Sequence, residues 1–394
     1  MFPTLSYLLQ YLFGIHISLP IQTLGLFMAL AFVGAYMAFS SELKRYEALG
    51  RIHAWKRKVT VGAPISTPEL TINALLGFLF GYKIVGILLN YTVFSYDPKT
   101  FILSLQGNIW AGLICGAGWG YWAYYDRKKA QLPQPKVIDQ TVHPYQLMVK
   151  ITIYAGVWGF LGAKLFDTVE HLGAFFQHPL TVLFSSSGFT YYGGFVFGML
   201  AYFYAACGKG MKLTHVADIG APGIILAYGI GRIGCALSGD GDWGIANTHA
   251  MPKLLSWLPD WTWSYNYPHN VINAGHYIPG CKGGYCSVLP QGVYPTSLYE
   301  VVLCLLIFAF LWAIRKHVTT PAFLAFLTLI LMGVERFPIE LIRVTIKYNV
   351  LGIMLTQAQM ISIGTILVGT CGLIYIYNFQ AFPSFKPKQR RTVH

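Results

Sequence analysis

Charge is what this sequence has least of. Only 11% of its 394 residues are Asp, Glu, Lys or Arg, against about a quarter in an ordinary soluble domain. So few charges cannot solvate the surface of a water-soluble globule of this length. Acidic residues are the scarcer sign, 15 against 28 Lys and Arg, for a net charge of +13. A basic excess can suit nucleic acid. Here the basic residues stand in short loops and at the C-terminus, as membrane topology requires, and a nucleic-acid partner is not expected. A signal peptide is lacking too. The N-terminus, "MFPTLSYLLQYLFGIHISLP", has neither a cationic start nor a small-residue cleavage site, and reads as a retained lead-in on the membrane surface. No internal repeat or low-complexity segment is evident.

Long apolar runs are what the sequence does have. Nine of them, at 19–40, 69–91, 101–125, 145–169, 190–208, 217–238, 295–314, 321–342 and 357–378, lie near the ~20 residues that cross a bilayer as helix. The sixth is short and rich in glycine, and is expected to be tilted or partly broken. These lengths exclude the short strands of a membrane barrel. The fold class is therefore all-α, a polytopic helical membrane protein of about nine spans in a single membrane-embedded domain, 1–394.

The loops orient it. "ELKRYEALGRIHAWKRKV", "DRKKAQLPQPK", "GKGMK", "RKH" and "KPKQRR" follow the odd-numbered spans, while "YTVFSYDPKT" and "EHLGAFFQHPL" hold one Lys between them. The positive-inside rule places the N-terminus outside and the C-terminus in the cytoplasm. The basic tail is a topology signal and is expected to touch anionic lipid. The largest piece outside the spans, 239–294, is then an outer loop subdomain rich in Trp, Tyr, Pro and Gly.

Seven cysteines are present, five of them in or beside spans as small apolar residues. Cys281 and Cys286, in "CKGGYC", face the oxidising exterior, which favours a disulfide. A metal site with His269 or His276 is the alternative, without zinc spacing to support it.

Ionisable groups inside a membrane are functional candidates. With this orientation, Lys164 and Asp167, "TYYGG" (Tyr191 to Gly194), Arg232, Tyr299 and Glu300, and "ERFPIELIR" (Glu335, Arg336, Glu340, Arg343) all fall in the outer half, from five spans. Bland readings stand beside this one. Glu340 and Arg336, four apart, can simply pair. Arg343 and Lys164 can snorkel to headgroups. Gly193 and Gly194 can serve helix packing, or let backbone N–H groups approach an anion. Taken together, the groups describe a cationic site at headgroup depth, and an arginine pair suits a phosphate.

"GRIGCALSGDGDWG", residues 231–244, resembles the signature of the prolipoprotein diacylglyceryl transferases. "YYGG", "YPTSLYE" and "RFPIELIR" resemble that family's other motifs, in its order, across about 145–345. The resemblance implies an enzyme of the bacterial cytoplasmic (inner) membrane acting at its outer face. It would move the diacylglyceryl group of phosphatidylglycerol onto the lipobox cysteine of a prolipoprotein, forming a thioether and releasing glycerol phosphate. No metal or cofactor is implied, and a monomer is expected. By position, Arg232 and Arg336 take the phosphate, and Glu340 and Arg343 hold the cationic cluster. Tyr299 and Glu300 match the family's Tyr-Glu, Lys164 stands for its span-four arginine, and Asp240 falls near the acidic position of the signature loop. The opening aspartates are expected to orient Arg232 or the loop. Tyr192 stands where many members carry His before the paired glycines, Gly193 and Gly194. It is expected to position thiol and phosphate while the cationic field favours the thiolate. The family has seven spans, so spans two and three, 66–130, read as an inserted hairpin. Other readings are a transporter or binding protein for an anionic lipid or solute, and a phospholipid enzyme with another acceptor.

Overall fold

The computed structural model describes residues 1–380 except 16, 18, 20, 97–100, 103, 184–189, 282 and 351. The basic tail "KPKQRR" lies outside the described residues. Nine helices of 17 residues or more stand among those described: α1 Thr23–Ala48, α2 Thr67–Leu89, α3 Ile109–Lys129, α4 Met148–Glu170, α5 Tyr191–Cys207, α6 Leu213–Ser238, α7 Thr296–Ile314, α8 Phe323–Ile339 and α9 Gln357–Gln380. They occupy the nine places expected. Six of them, α1, α2, α4, α6, α7 and α9, are long and apolar enough to cross a membrane, and α5 is a shorter apolar helix. Three two-stranded antiparallel ribbons accompany them: β1 Trp55–Val61 with β2 Lys136–Val142, β3 His276–Tyr277 with β4 Ser287–Val288, and β5 Lys347–Val350 with β6 Ile353–Thr356.

The chain divides into two compact units. The first comprises Met1–Tyr11, Ile21–Glu42 and everything described from Ala206 onward. Its core is built from α6, α7 and α8, where Ala221, Ile225, Cys304, Leu311 and Leu324 are almost fully buried. The expected break in the sixth span is corrected here. α6 is one continuous 26-residue helix despite Pro222 and its glycines. Those glycines are used for close contact: a Cβ at Gly223 would strike the Phe39 ring, and one at Gly234 would meet Phe27. In lipid, neighbouring helices sustain a helix through such residues.

The far end of this unit from the signature loop holds an ion pair. Arg315 Nε lies 2.7 Å from Glu42 Oε1, both side chains nearly buried. Arg315 stands in the "RKH" loop that the sequence reads as a topology signal, and here it is also paired. On α6, the Asp218 carboxylate accepts from the Ala322 and Ala325 N–H groups at 2.7 and 3.0 Å. That satisfies donors which the first turn of α8 would otherwise leave open.

The second unit comprises Leu43–Ala205 with a short piece from 12 to 20. Its α2 begins on a Ser66 cap that accepts from Glu69 N–H, and α3 begins on an Asn108 cap that accepts from Ala111 N–H. Asn108 therefore starts the third helix later than the apolar run suggested. α2 and α3 form a hairpin with backbones in near contact, as at Gly81 against Ala111 and Cys115.

Candidate functional site

The site in the first unit grows from the end of α6. Tyr228, Arg232 and Cys235 recur at spacings of four and three, so they share one helix face. The helix stops at Gly239, whose φ of 65° is the left-handed cap that glycine adopts most easily. Gly241 follows at φ 100°. This pair of glycine conformations turns the chain back on itself and returns Asp242 to the Arg232 guanidinium. The first turn of α7 fixes that turn in place. Both the Thr296 and Ser297 hydroxyls donate to the Asp242 carbonyl, at 2.8 and 2.7 Å. One turn on, α7 presents Glu300. The last turn of α8 brings Arg336 and Glu340, and Arg343 follows where the chain bridges to Gly244.

These residues form one continuous network. Arg232 Nε lies 2.6 Å from Glu300 Oε2, and its Nη2 donates to the Tyr228 hydroxyl at 3.1 Å. Glu300's other oxygen takes Arg336 Nη1. Arg336 Nη2 reaches Glu340 at 2.6 Å, and Arg336 also lies 3.4 Å from the Tyr228 hydroxyl. Arg343 Nη2 pairs with Asp242, while its Nη1 sits 3.7 Å from both Glu300 and Glu340. Thr345 donates to the remaining Glu340 oxygen at 3.0 Å. Glu300 and Glu340 are essentially buried, whereas Arg336 and Asp242 are the most open members, at 18% and 28% side-chain exposure.

The structure corrects the sequence reading in three respects. Three guanidiniums face three carboxylates, so the network is balanced rather than cationic. Arg343 does not snorkel: it is 11% exposed and ion-paired. The aspartates divide their work. Asp242 holds Arg232 and Arg343, while Asp240 accepts from the Asp242 N–H at 3.3 Å and so shapes the loop. Their environments differ accordingly. Burial opposes charge on Asp242, but Arg232 and then Arg343 outweigh it and hold the carboxyl below its ordinary value. Burial, and then neighbouring Asp242, push Asp240 up. Cys235 Sγ, Asp240 and Asp242 lie within 4.8 Å of one another. In this group Asp242 gives both its oxygens to guanidiniums, so arginine already stands where a cation would.

Tyr299 acts away from this network. Its hydroxyl donates to the Thr262 carbonyl at 3.0 Å, tying α7 to the 239–294 segment. That segment is closed by the Cys281–Cys286 disulfide and centred on buried Asn270, whose amide donates to the carbonyls of Tyr267, Ala274 and Ser287.

Lys164, Tyr192, Gly193 and Gly194 belong to the second unit. Lys164 is buried and lies 3.4 Å from Asp167, so it too does not snorkel. Tyr192 stands half-buried in the first turn of α5. Gly193 and Gly194 pack against α4, where a Cβ at Gly193 would come within 2.4 Å of the Gly162 carbonyl oxygen. The Gly194 N–H is given to Thr190 O at 3.2 Å. Packing is therefore what this pair does, and the Gly194 N–H is not free to approach an anion.

Sequence reasoning missed Tyr228, Thr296 and Ser297 and did not single out Asp242. Tyr228 was signalled by its place four residues before Arg232. The others depend on turn geometry that no spacing encodes.

The chain matches the family model described as prolipoprotein diacylglyceryl transferase over residues 110–375, about two-thirds of its length. The whole network lies inside that match, as does α3 from residue 110, while α2 lies before it. A protein of Staphylococcus aureus strain MSSA476, named phosphatidylglycerol–prolipoprotein diacylglyceryl transferase, is 28% identical over 299 residues, 74% of this chain and 91% of that relative. The protein of the same name from strain Newman is 27% identical over the same shares.

Proposed function

The chain belongs to the prolipoprotein diacylglyceryl transferase family, and on that premise we propose that it moves the diacylglyceryl group of phosphatidylglycerol onto the lipobox cysteine of a prolipoprotein. The observation that carries this reading to particular residues is the network of Arg232, Arg336 and Arg343 held by Glu300, Glu340 and Asp242. Guanidiniums fixed by buried carboxylates are preorganised hydrogen-bond donors, and they need little rearrangement when charge develops. In the reaction the cysteine sulfur forms a bond to the glyceryl carbon. The bond from that carbon to the phosphate oxygen breaks, and the electron pair leaves on glycerol phosphate. Arg336, the most open guanidinium, and Arg343, whose Nη1 is beyond hydrogen-bond range of its carboxylates, have donors to offer that phosphate. Arg232, expected from its motif to take the phosphate with Arg336, has all three nitrogens engaged by Glu300, Asp242 and Tyr228, and its part here is to brace the other two.

The sulfur reacts as thiolate. Because the network is balanced, its field alone is a weaker source of thiolate than a cationic cluster would be. Tyr192 is the group assigned to the thiol, on the strength of its position before the paired glycines. Lys164 is kept as a supporting cation on the same basis, and Tyr299 as the residue holding the 239–294 segment over α7.

The protein would work in the cytoplasmic membrane, with its N-terminus and this site outward and its C-terminus inside, as the basic loops indicate. Helices α2 and α3 would be an insertion on a seven-span core, and 239–294 an outer subdomain. Action as a monomer is part of the same reading. The test is purified protein reconstituted with phosphatidylglycerol and a lipobox peptide. Mass spectrometry should find one diacylglyceryl group added per peptide and none on a peptide with serine in place of cysteine. No addition to either would refute the reading.

A further inference from the structure

The ribbon of β1 and β2 is built unlike a hairpin. A hairpin comes from one connection and has a turn at its tip. Here β1 lies in the connection from α1 to α2, and β2 in the connection from α3 to α4. Each strand is therefore tethered at both ends to helices. The pairing runs from Trp55 opposite Val142 to Val61 opposite Lys136, about 20 Å at ~3.3 Å per residue. One end is fastened where Glu47 meets His143 at 2.6 Å. The other is fastened where Leu132 N–H donates to Gly62 O at 3.2 Å, beside the Arg127–Glu69 pair that joins α3 to α2. The ribbon is thus a strap lying across helix ends, the ends that the basic loops assign to one side of the membrane.

Its two faces differ. Side chains alternate along each strand, and directly paired residues share a face. One face carries Trp55, Val59 and Val61 opposite Val142, Ile138 and Lys136, with Arg57 between them. The half-buried positions, 55, 59 and 142, all fall on this face, so it is the one turned toward the rest of the unit. The protein does not finish covering it: Ile138 is 48% and Val61 39% exposed. The opposite face carries Lys56, Lys58, Thr60, Asp139 and Thr141, with Val137 the one apolar side chain among them, 63% exposed. Among the described residues, Lys56, Arg57, Lys58 and Lys136 make no ion pair.

We propose that this strap is a docking surface for the anionic headgroups of the bilayer face it crosses. The inward face mixes apolar side chains with Arg57 and Lys136 and is only partly covered by the unit, as a surface seated at the headgroup boundary should be. Arg57 and Lys136 on that face, with Lys56 and Lys58 on the other and one Asp between them, give the ribbon the sign that anionic lipid attracts. The tethers at both ends hold the ribbon close to the bilayer. An acidic soluble protein would engage the outward polar face and leave Ile138 and Val61 uncovered. This inference rests on the membrane fold and not on the transfer reaction.

Hydrogen exchange read by mass spectrometry tests it on the full chain in lipid nanodiscs. One set is phosphatidylcholine alone; the other adds phosphatidylserine, an anionic lipid that is not the proposed donor. Amides of 55–61 and 136–142 that face away from the partner strand should exchange more slowly in the anionic discs, by about threefold or more, and raised salt should remove the difference. An Arg57→Gln, Lys136→Gln double variant, whose α2 and α3 keep wild-type protection, should lose it too. Equal exchange in the two lipids would overturn the proposal, whatever the variant does. So would slowing that persists undiminished in the folded double variant, or that appears only when phosphatidylglycerol replaces phosphatidylserine.

Discussion

Arg232 and Glu300 meet at 2.6 Å, Nε to Oε2, with the glutamate side chain only 1% exposed. The second Glu300 oxygen takes Arg336. One buried carboxylate thus joins the end of α6 to the end of α8 through the start of α7. Removing it leaves three guanidiniums to two carboxylates, so one positive charge of the network is uncompensated. Breaking a buried pair from one side typically costs about 3–5 kcal/mol. Glu300→Ala should therefore lower the melting temperature in detergent sharply and abolish transfer. Glu300→Gln keeps the shape and should melt closer to wild type, yet still lose most activity. A wild-type melt for Glu300→Ala would contradict this.

The two loop aspartates should respond in opposite senses. Asp242 is held below its ordinary value in the folded protein, so its contribution to stability is present above about pH 4, the unfolded value, and is lost as pH falls through the lower folded value. Asp242→Asn should destabilise at neutral pH by about 1–3 kcal/mol and flatten the acid limb of the melting curve. Asp240 is raised, so folding favours its protonated form. Its contribution declines as pH rises from about 4 through the raised folded value. Asp240→Asn should leave the neutral-pH melt unchanged or higher. Melting curves across pH check both, and equal losses would refute the division.

Gly193→Ala should separate α4 from α5. The added carbon meets the Gly162 carbonyl at 2.4 Å and Phe166 Cβ at 2.6 Å, where backbone must move. Overpacking of this kind costs about 1–3 kcal/mol. Gly118→Ala, with nothing within 4 Å, is the control and should melt like wild type. Thermal melts of the two variants settle it.

Tyr192→Phe keeps the ring and removes the hydroxyl. If that hydroxyl handles the substrate thiol, turnover should fall by about tenfold or more, each power of ten being roughly 1.4 kcal/mol. Tyr192→His should restore part of it. Full activity in the phenylalanine variant would remove Tyr192 from the mechanism.

The helices were legible because apolar runs of membrane length are hard to mistake, and the places of Arg232, Glu300, Arg336, Glu340 and Arg343 were legible as rare charges in such runs. Their contacts were less so. Arg336 and Glu340 pair at helical spacing, which sequence shows. Asp242 reaches Arg232 only through the left-handed turn at Gly239 and Gly241, and the charge balance emerges only when three elements converge. The same holds for Glu42 with Arg315, and for β1 with β2, whose first pair joins Trp55 to Val142. Pairings between distant loops leave no periodic trace. Alternation in β1 alone was hidden by its basic residues, which read as a topology signal.

The central claim is that the arginine network performs diacylglyceryl transfer rather than merely holding three helices together. The most direct measurement is turnover of Arg336→Gln, the most open guanidinium, with phosphatidylglycerol and a lipobox peptide, alongside its melting curve. Glutamine can still donate to Glu300 or Glu340. The account predicts a protein that still folds, melting below wild type because two buried glutamates lose a shared cation, and that adds diacylglyceryl at least about a hundredfold more slowly, the scale of a lost preorganised donor. A folded Arg336→Gln protein with wild-type turnover would contradict it.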